Sequence, residues 1–375
     1  MLPYLTEVQN PSKKYSVVFR GINYGEGTQD GEFAQTYNLS TDQYPCITQR
    51  AARIEAGKYT QPTTLHSKGK LLIINERFDE NGEPTGFADV YYGDNPDPVG
   101  EVTSGKKQTA TIGNYIVIFP DKKYYKVPTE DNKDGEFGSM EVEYKMAGLK
   151  FTSSTISKTG ADFPFEKGDA VVIEGCSKNE NNKDTEIIIM GVTSDELTFD
   201  NNSFTEVVEG QEVTIKRTVP PLDFICENNY RLWGTHGNTI YSSKFSDPLN
   251  FQSFEGLAGD SYSIDVASEG EFTGCIAYSS HICFFKENTL HKLYGTKPSN
   301  FQITTANVYG VQSGSERSIQ IVNEQLLYKG VGGVYAYTGG VPELISEKFG
   351  NNRYSDAVAC CDGEKYYISM KQGDT

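Results

Sequence analysis

Histidine is scarce in this 375-residue chain, which has four: His66, His236, His281 and His291. A nucleophile relay needs a serine or cysteine beside a base, commonly histidine, and a carboxylate to orient that base. So few bases leave little to build one from. His281 and His291 fall inside aromatic strand patterns and read as packed side chains, while His236 sits in the turn Gly234-Thr235-His236-Gly237. Cysteine is odd in number, seven residues at 46, 176, 226, 275, 283, 360 and 361, with no Cys-x-x-Cys pair. These read as buried free thiols of a reducing compartment, and a strand through Cys360 and Cys361 would point them to opposite faces. A zinc site is excluded on both counts.

Long apolar runs are missing too. None approaches the ~18 residues of a membrane span, so no membrane association is expected. The start, Met1-Leu2-Pro3-Tyr4-Leu5-Thr6-Glu7, lacks the basic-then-apolar order of a secretory signal. Basic residues are outnumbered, 34 Lys and Arg against 51 Asp and Glu, for a net charge of −17. That argues against a surface adapted to nucleic acid, although a negative lumen would let DNA pass without sticking. More simply, the acidity keeps a concentrated protein soluble. No glycine-rich phosphate loop or dinucleotide fingerprint is present.

What is abundant is aromatic residues and turn formers: 24 Tyr, 20 Phe and 37 Gly against 5 Met. They suit pleated sheets joined by tight hairpins. Between residues 222 and 346 one layout recurs three times. Asn228-Asn229-Tyr230-Arg231-Leu232-Trp233-Gly234 leads to Thr239-Ile240-Tyr241-Ser242-Ser243. Gly274-Cys275-Ile276-Ala277-Tyr278 leads to His281-Ile282-Cys283-Phe284-Phe285 and Leu290-His291-Lys292-Leu293-Tyr294. Ser318-Ile319-Gln320-Ile321-Val322 leads to Gln325-Leu326-Leu327-Tyr328 and Gly333-Val334-Tyr335-Ala336-Tyr337. A period near 45 residues of this kind predicts an all-β fold, a β-propeller of four-stranded blades. Blades are expected near 57–96, 107–150, 222–254, 260–303, 315–345 and from 355 onward, about six with the last incomplete.

The rhythm breaks over residues 140–218, where Phe165-Glu166-Lys167-Gly168-Asp169-Ala170-Val171-Val172-Ile173 and about four further short strands predict an inserted small β-barrel. The division expected is a leading segment over 1–55, propeller over 56–139, barrel over 140–218 and propeller over 219–375. Ending in mid-hairpin leaves an edge strand bare. Either Tyr15-Ser16-Val17-Val18-Phe19 closes the ring or the chain is truncated, and truncation is the expectation preferred.

Three patterns invite a chemical reading. Residues 130–141 follow the order of a calcium loop, with Glu130 where Asp is usual and Glu141 at the twelfth place. No helix pattern flanks them, and Asp/Asn/Gly hairpins arise without metal, so no ligand is assigned. Tyr91-Tyr92 and Tyr124-Tyr125 could stack on sugars. A glycosidase needs two carboxylates facing one cleft, which the sequence does not pair, and Ser246-Asp247-Pro248 matches a sialidase turn only at its Asp. No catalytic, cofactor-binding or metal residue is assigned.

One stretch carries a resemblance. Gly31-Glu32-Phe33, then Asn38-Leu39-Ser40-Thr41-Asp42-Gln43-Tyr44-Pro45-Cys46-Ile47-Thr48-Gln49-Arg50, running into Arg53, resembles the opening strand of tailed-phage and prophage structural proteins. Ile240-Tyr241-Ser242-Ser243 with Asp247-Pro248-Leu249-Asn250-Phe251, and Ile282-Cys283-Phe284-Phe285-Lys286-Glu287 with Lys292-Leu293-Tyr294-Gly295, are similar to motifs of their propeller tail-nozzle members. The resemblance covers residues 18–53 and 222–370 and omits the barrel. It implies a non-enzymatic virion protein of the tail nozzle or neck, made in the bacterial cytoplasm. It further implies a ring-shaped homo-oligomer, such as a hexamer, that docks to neighbouring tail or adaptor proteins and lets DNA pass without specific binding. The alternative is a carbohydrate- or receptor-binding propeller module.

Overall fold

The computed structural model describes residues 19–25, 27–44, 46–52, 59–130, 133–181 and 185–373. Among them the regular structure is β-strand, apart from single 3-10 turns such as Glu316–Ser318 and Glu347–Phe349. Five four-stranded antiparallel sheets follow one another, each with its strands in sequence order. Blade 1 is Pro62–Lys68, Lys70–Phe78, Pro84–Tyr92 and Gly100–Thr103; blade 2 is Gln108–Ile112, Tyr115–Phe119, Lys123–Lys126 and Glu136–Ser139. Blade 3 is Phe224–Asn228, Arg231–His236, Thr239–Ser242 and Tyr262–Asp265; blade 4 is Gly274–Tyr278, His281–Phe285, Leu290–Tyr294 and Gln302–Ala306. Blade 5 is Gln320–Val322, Gln325–Gly330, Gly333–Tyr337 and Glu343–Leu344. The hairpin Tyr354–Cys361 with Tyr366–Gln372 is a sixth, two-stranded unit. This is the meander of a β-propeller with an incomplete last blade.

Strand alternation explains the stacking. In Tyr115–Phe119, Ile116 and Ile118 face Leu72, Ile74 and Val90 of blade 1, while Val117 and Phe119 face Leu222, Ile225 and Leu232 on the blade 3 side. A sheet covered on both faces needs apolar residues at consecutive positions, hence the unbroken run. The same holds in His281–Phe285: Ile282 and Phe284 meet Trp233 and Ile240 of blade 3, and Cys283 and Phe285 meet Leu326 and Tyr328 of blade 5. Two-residue turns join the strands, and Asn229-Tyr230 and Asn323-Glu324 take positive φ at both positions, from 48° to 65°. That backbone matches the twist of the flanking strands, which offsets the strain of placing Tyr and Glu there. The first strands surround an axis. Arg317, in the turn before blade 5, donates to Thr63 O at 3.0 Å in blade 1 and to Lys107 O at 3.1 Å before blade 2.

Residues 142–217 supply nine strands to sheets of four and five that enclose a core of their own, with Phe151, Phe163, Phe165, Phe199 and Phe204 among Val171, Ile173, Val213 and Ile215. This small β-barrel holds more strands than the five or so expected, because several are two-residue pairings too short to show in a sequence pattern. It lies against the long loop of blade 3. Ala170 N donates to Gln252 O at 2.8 Å, Phe254 N to Gly168 O at 2.8 Å, and Lys244 Nζ meets Glu166 Oε2 at 2.7 Å.

Two blade boundaries need correction. Blade 1 runs on to Thr103, since Gly100–Thr103 pairs with Pro84–Tyr92. Residues 262–265 close blade 3 rather than opening blade 4: Tyr262–Asp265 pairs with Thr239–Ser242 across the loop that receives the barrel. That long loop hid the pairing. In the leading segment Gly21–Ile22 pairs with Glu32–Phe33 and Leu39–Ser40 with Thr48–Gln49. Residues 15–18 of the expected closing strand lie outside the described residues, as do Pro45 and Arg53 of the opening motif.

Candidate functional site

The four histidines are all held by neighbours. His66 shares hydrogen bonds with Thr109 and Thr111 of blade 2, and burial lowers its pKa. His236 faces the Asp223 carboxylate at 2.9 Å on the surface. His281 is buried against the Tyr294 ring at 5.0 Å, with Tyr337 Oη 3.3 Å from Nε2. His291 is fully buried: Ser268 Oγ is 2.9 Å from its Nε2 and Thr305 Oγ1 is 2.9 Å from its Nδ1.

The Ser268–His291 pair comes nearest to a nucleophile and base, and no sequence pattern points to it because 23 residues separate the two. Ser268 lines an open cavity of about 870 Å³ with Glu269, Glu271, Glu287, Asn288 and Asn307. Burial, then the Lys286 ammonium, lower the His291 pKa to about 4. A base that weak draws little on a serine proton, and Nδ1 faces a hydroxyl rather than the carboxylate that would stabilise an imidazolium. The bonds instead tie the loop at Ser268 to Leu290–Tyr294. Lys286 serves the same loop: its buried ammonium donates to Ser268 O at 2.8 Å and Asn238 Oδ1 at 2.7 Å, over the Phe272 ring.

Sequence reading missed three buried cations, Lys286, Lys329 and Arg231. Arg231 donates to Ser243 O at 2.7 Å, Asp260 O at 2.6 Å and Ala258 O at 2.8 Å, and so fastens the loop that carries the barrel. Burial lowers the pKa of all three. Their signal was visible only as charges interrupting apolar strands.

The other sequence candidates separate cleanly. Of residues 130–141, positions 131 and 132 lie outside the described residues. Glu136 begins a strand and accepts from Tyr124 Oη at 2.6 Å, while Glu141 pairs with Lys122 at 2.6 Å. Among the described residues no group of three His, Cys, Asp or Glu side chains is placed to hold a metal. The paired tyrosines do not form sugar platforms. Tyr92 packs on Tyr125 at 4.9 Å, with Tyr125 buried, and Tyr124 packs on Tyr115 at 5.5 Å. The expectation of buried thiols holds for Cys176, Cys226 and Cys283 and fails for Cys46, Cys360 and Cys361, which are exposed because they lie in the leading segment and the last hairpin.

The exposed apolar surface lies elsewhere. Tyr24, Phe33, Tyr37, Leu39 and Tyr44 of the leading segment are all exposed, Tyr37 at 76%. The segment is nonetheless pinned. Glu32 meets Lys348 Nζ at 2.6 Å, Lys365 Nζ meets Asp42 at 2.6 Å, and Tyr24 N donates to Lys348 O at 2.9 Å. Hydrogen bonds from Asn23 and the Gln29 amide, with Lys348, lower the Glu32 pKa to about 2.

No family model matches the chain, and no curated protein does. Among solved structures, the dihydro-heme d1 dehydrogenase NirN aligns over 85% of this chain and 51% of its own, at 9% identity and a TM-score of 0.31. The chain thus spans about half the length of NirN. AztD from Citrobacter koseri aligns over 80% of this chain and 73% of its own, at 11% identity and 0.30. Hsv2 from Kluyveromyces lactis aligns over 83% and 98%, at 9% identity and 0.29. Superpositions this loose carry no function across, and the propeller assignment rests on the sheet order above.

Proposed function

We propose that this β-propeller is a non-enzymatic structural protein of a phage virion, a tail-nozzle or neck component that self-associates into a ring and docks to neighbouring tail or head-tail proteins. The observation that carries the reading is the leading segment. The residues that resemble the phage opening strand also present Tyr24, Phe33, Tyr37, Leu39 and Tyr44 to solvent on a strap pinned by Glu32 and Asp42. Apolar aromatic side chains held out on an anchored strap suit a protein interface. Arg317 occupies the axis within one propeller, so in this reading DNA passes through the lumen of the ring, between subunits. Microscopy and cross-linking of particles or of a co-expressed complex test it. Cross-links from residues 20–50 to a neighbouring subunit or tail protein are the expected result. Absence from particles overturns it.

A second reading, a carbohydrate-binding module, draws on one groove. Tyr309 stands exposed beside Asn288, Asn307, Val341 and Pro342 over a cavity of about 420 Å³. An aromatic face next to amides is sugar-binding chemistry, and glycan-array binding abolished by Tyr309→Ala is its test.

A further inference from the structure

Each of the first five units has four strands, and the sixth has two. Buried apolar clusters join blades 1 and 2, 2 and 3, 3 and 4, and 4 and 5. Among the described residues no such cluster joins the last hairpin to blade 1. Both nevertheless flank the same turn: Arg317 reaches Thr63 of blade 1, and Tyr366 Oη donates to Ser318 O at 2.7 Å. The surfaces at this seam are apolar and open. On blade 1 the face turned away from blade 2 carries Leu65, Leu71 and Phe87, exposed at 61%, 42% and 45%, over a cavity of about 750 Å³ that Tyr59, Ile73 and Tyr91 also line. On the hairpin, Tyr366, Ile368 and Met370 are half-buried while the opposite face exposes Val358 and Tyr367.

We propose that this seam is a strand-acceptor site, filled by an extended segment of a second polypeptide that adds to Tyr366–Gln372 as the third strand of the sixth blade. Three features select an extended peptide over other ligands. No described strand pairs with the outer edge of Tyr366–Gln372, which leaves a row of backbone donors and acceptors about 23 Å long at the usual rise per residue. The edge has no proline and one charge, Lys371, so it lacks the usual protection against strand addition. The walls are apolar on both sides, which asks for β-branched or aromatic residues at successive positions of the incoming strand. A net charge of −17 favours basic flanks and disfavours nucleic acid.

The test is amide exchange at Tyr366–Gln372, alone and with a panel of eight-residue peptides. Each peptide alternates Val or Tyr with Thr between terminal lysines. Every second amide of the strand is expected to exchange fast in the isolated chain and to slow at least about tenfold with a peptide bound. Tyr367→Ala, on the exposed face, is expected to weaken peptide binding several-fold with the circular dichroism unchanged. Strong protection in the isolated chain shows that the edge is already covered and overturns the proposal, as does a panel that protects nothing. Strand acceptance and virion membership stand or fall separately. Absence from particles leaves the exchange result standing, and a silent panel leaves particle membership standing.

Discussion

Asp169 of the inserted barrel and Asn250 of blade 3 share a buried hydrogen bond, Asn250 Nδ2 donating to Asp169 Oδ1 at 2.8 Å. The other carboxylate oxygen takes Arg217 Nη1 at 2.9 Å and the Glu166 amide at 3.0 Å, and Asp169 is fully buried. A single carboxylate thus fixes a strand end of the barrel, its last strand and the blade 3 loop in one place.

Breaking that network unequally is expected to cost unequally. Asp169→Ala leaves the Arg217 guanidinium buried without its counter-charge, a loss of about 3–5 kcal/mol. Asn250→Ala leaves one carboxylate oxygen short of a donor, about 1–3 kcal/mol. Urea melts of the two variants check the order. Equal losses would show that the Asp169–Arg217 pair matters no more than the Asn250 amide.

The same contacts bear on whether the barrel is separable. Residues 142–217 enclose their own aromatic core and are expected to fold when excised. Removing them from the chain strips partners from Lys244, Asn250 and the backbone of Gln252 and Phe254. The shortened propeller is therefore expected to melt lower than the full chain, while keeping its strand spectrum. Aggregation of both pieces would mean one shared core.

Blade rhythm was legible because aromatic strands and two-residue turns are local signals, and they located five of six units. Pairing across the 243–261 loop was not, since Tyr262–Asp265 follows residues whose structure comes from Arg231, a contact 29 residues long at Asp260. The Ser268–His291 pair and the buried Lys286 were invisible for the same reason: their partners come from different blades or distant loops. The leading segment showed its motif in sequence, but only the three-dimensional arrangement showed that its aromatic residues are exposed.

The single tryptophan gives a probe of the blade 3–4 core. Trp233 is buried, its ring 5.0 Å from Phe301 and 6.4 Å from Phe284. Its emission is expected to be blue-shifted in the folded protein and to move red in one step with denaturant. Phe284→Ala opens a cavity between the two blades and is expected to cost about 3–5 kcal/mol. A loss below about 1 kcal/mol, well under the cavity range, would mean that the site collapses around the smaller residue.

His291 makes the chain acid-sensitive in a window that can be read off its environment. The imidazole titrates near 6.5 when unfolded and about 4 when folded, because burial and then the Lys286 ammonium oppose its charge. Below pH 6.5 the unfolded chain takes a proton that the folded chain refuses, so stability present above that value falls as pH drops towards 4 and levels off beneath it. The gap from 6.5 to about 4 makes that contribution about 3 kcal/mol. His66 and His281 are also lowered by burial and act in the same direction, so the wild-type curve alone does not isolate the part due to His291. The difference between wild type and His291→Gln does. The glutamine amide can still reach the Ser268 and Thr305 hydroxyls without titrating, so the variant is expected to lose less stability than wild type between pH 6.5 and 4. Curves that stay parallel through that interval would mean that His291 takes its proton in the folded state, and that the Ser268–His291 pair is open enough to act as a base after all.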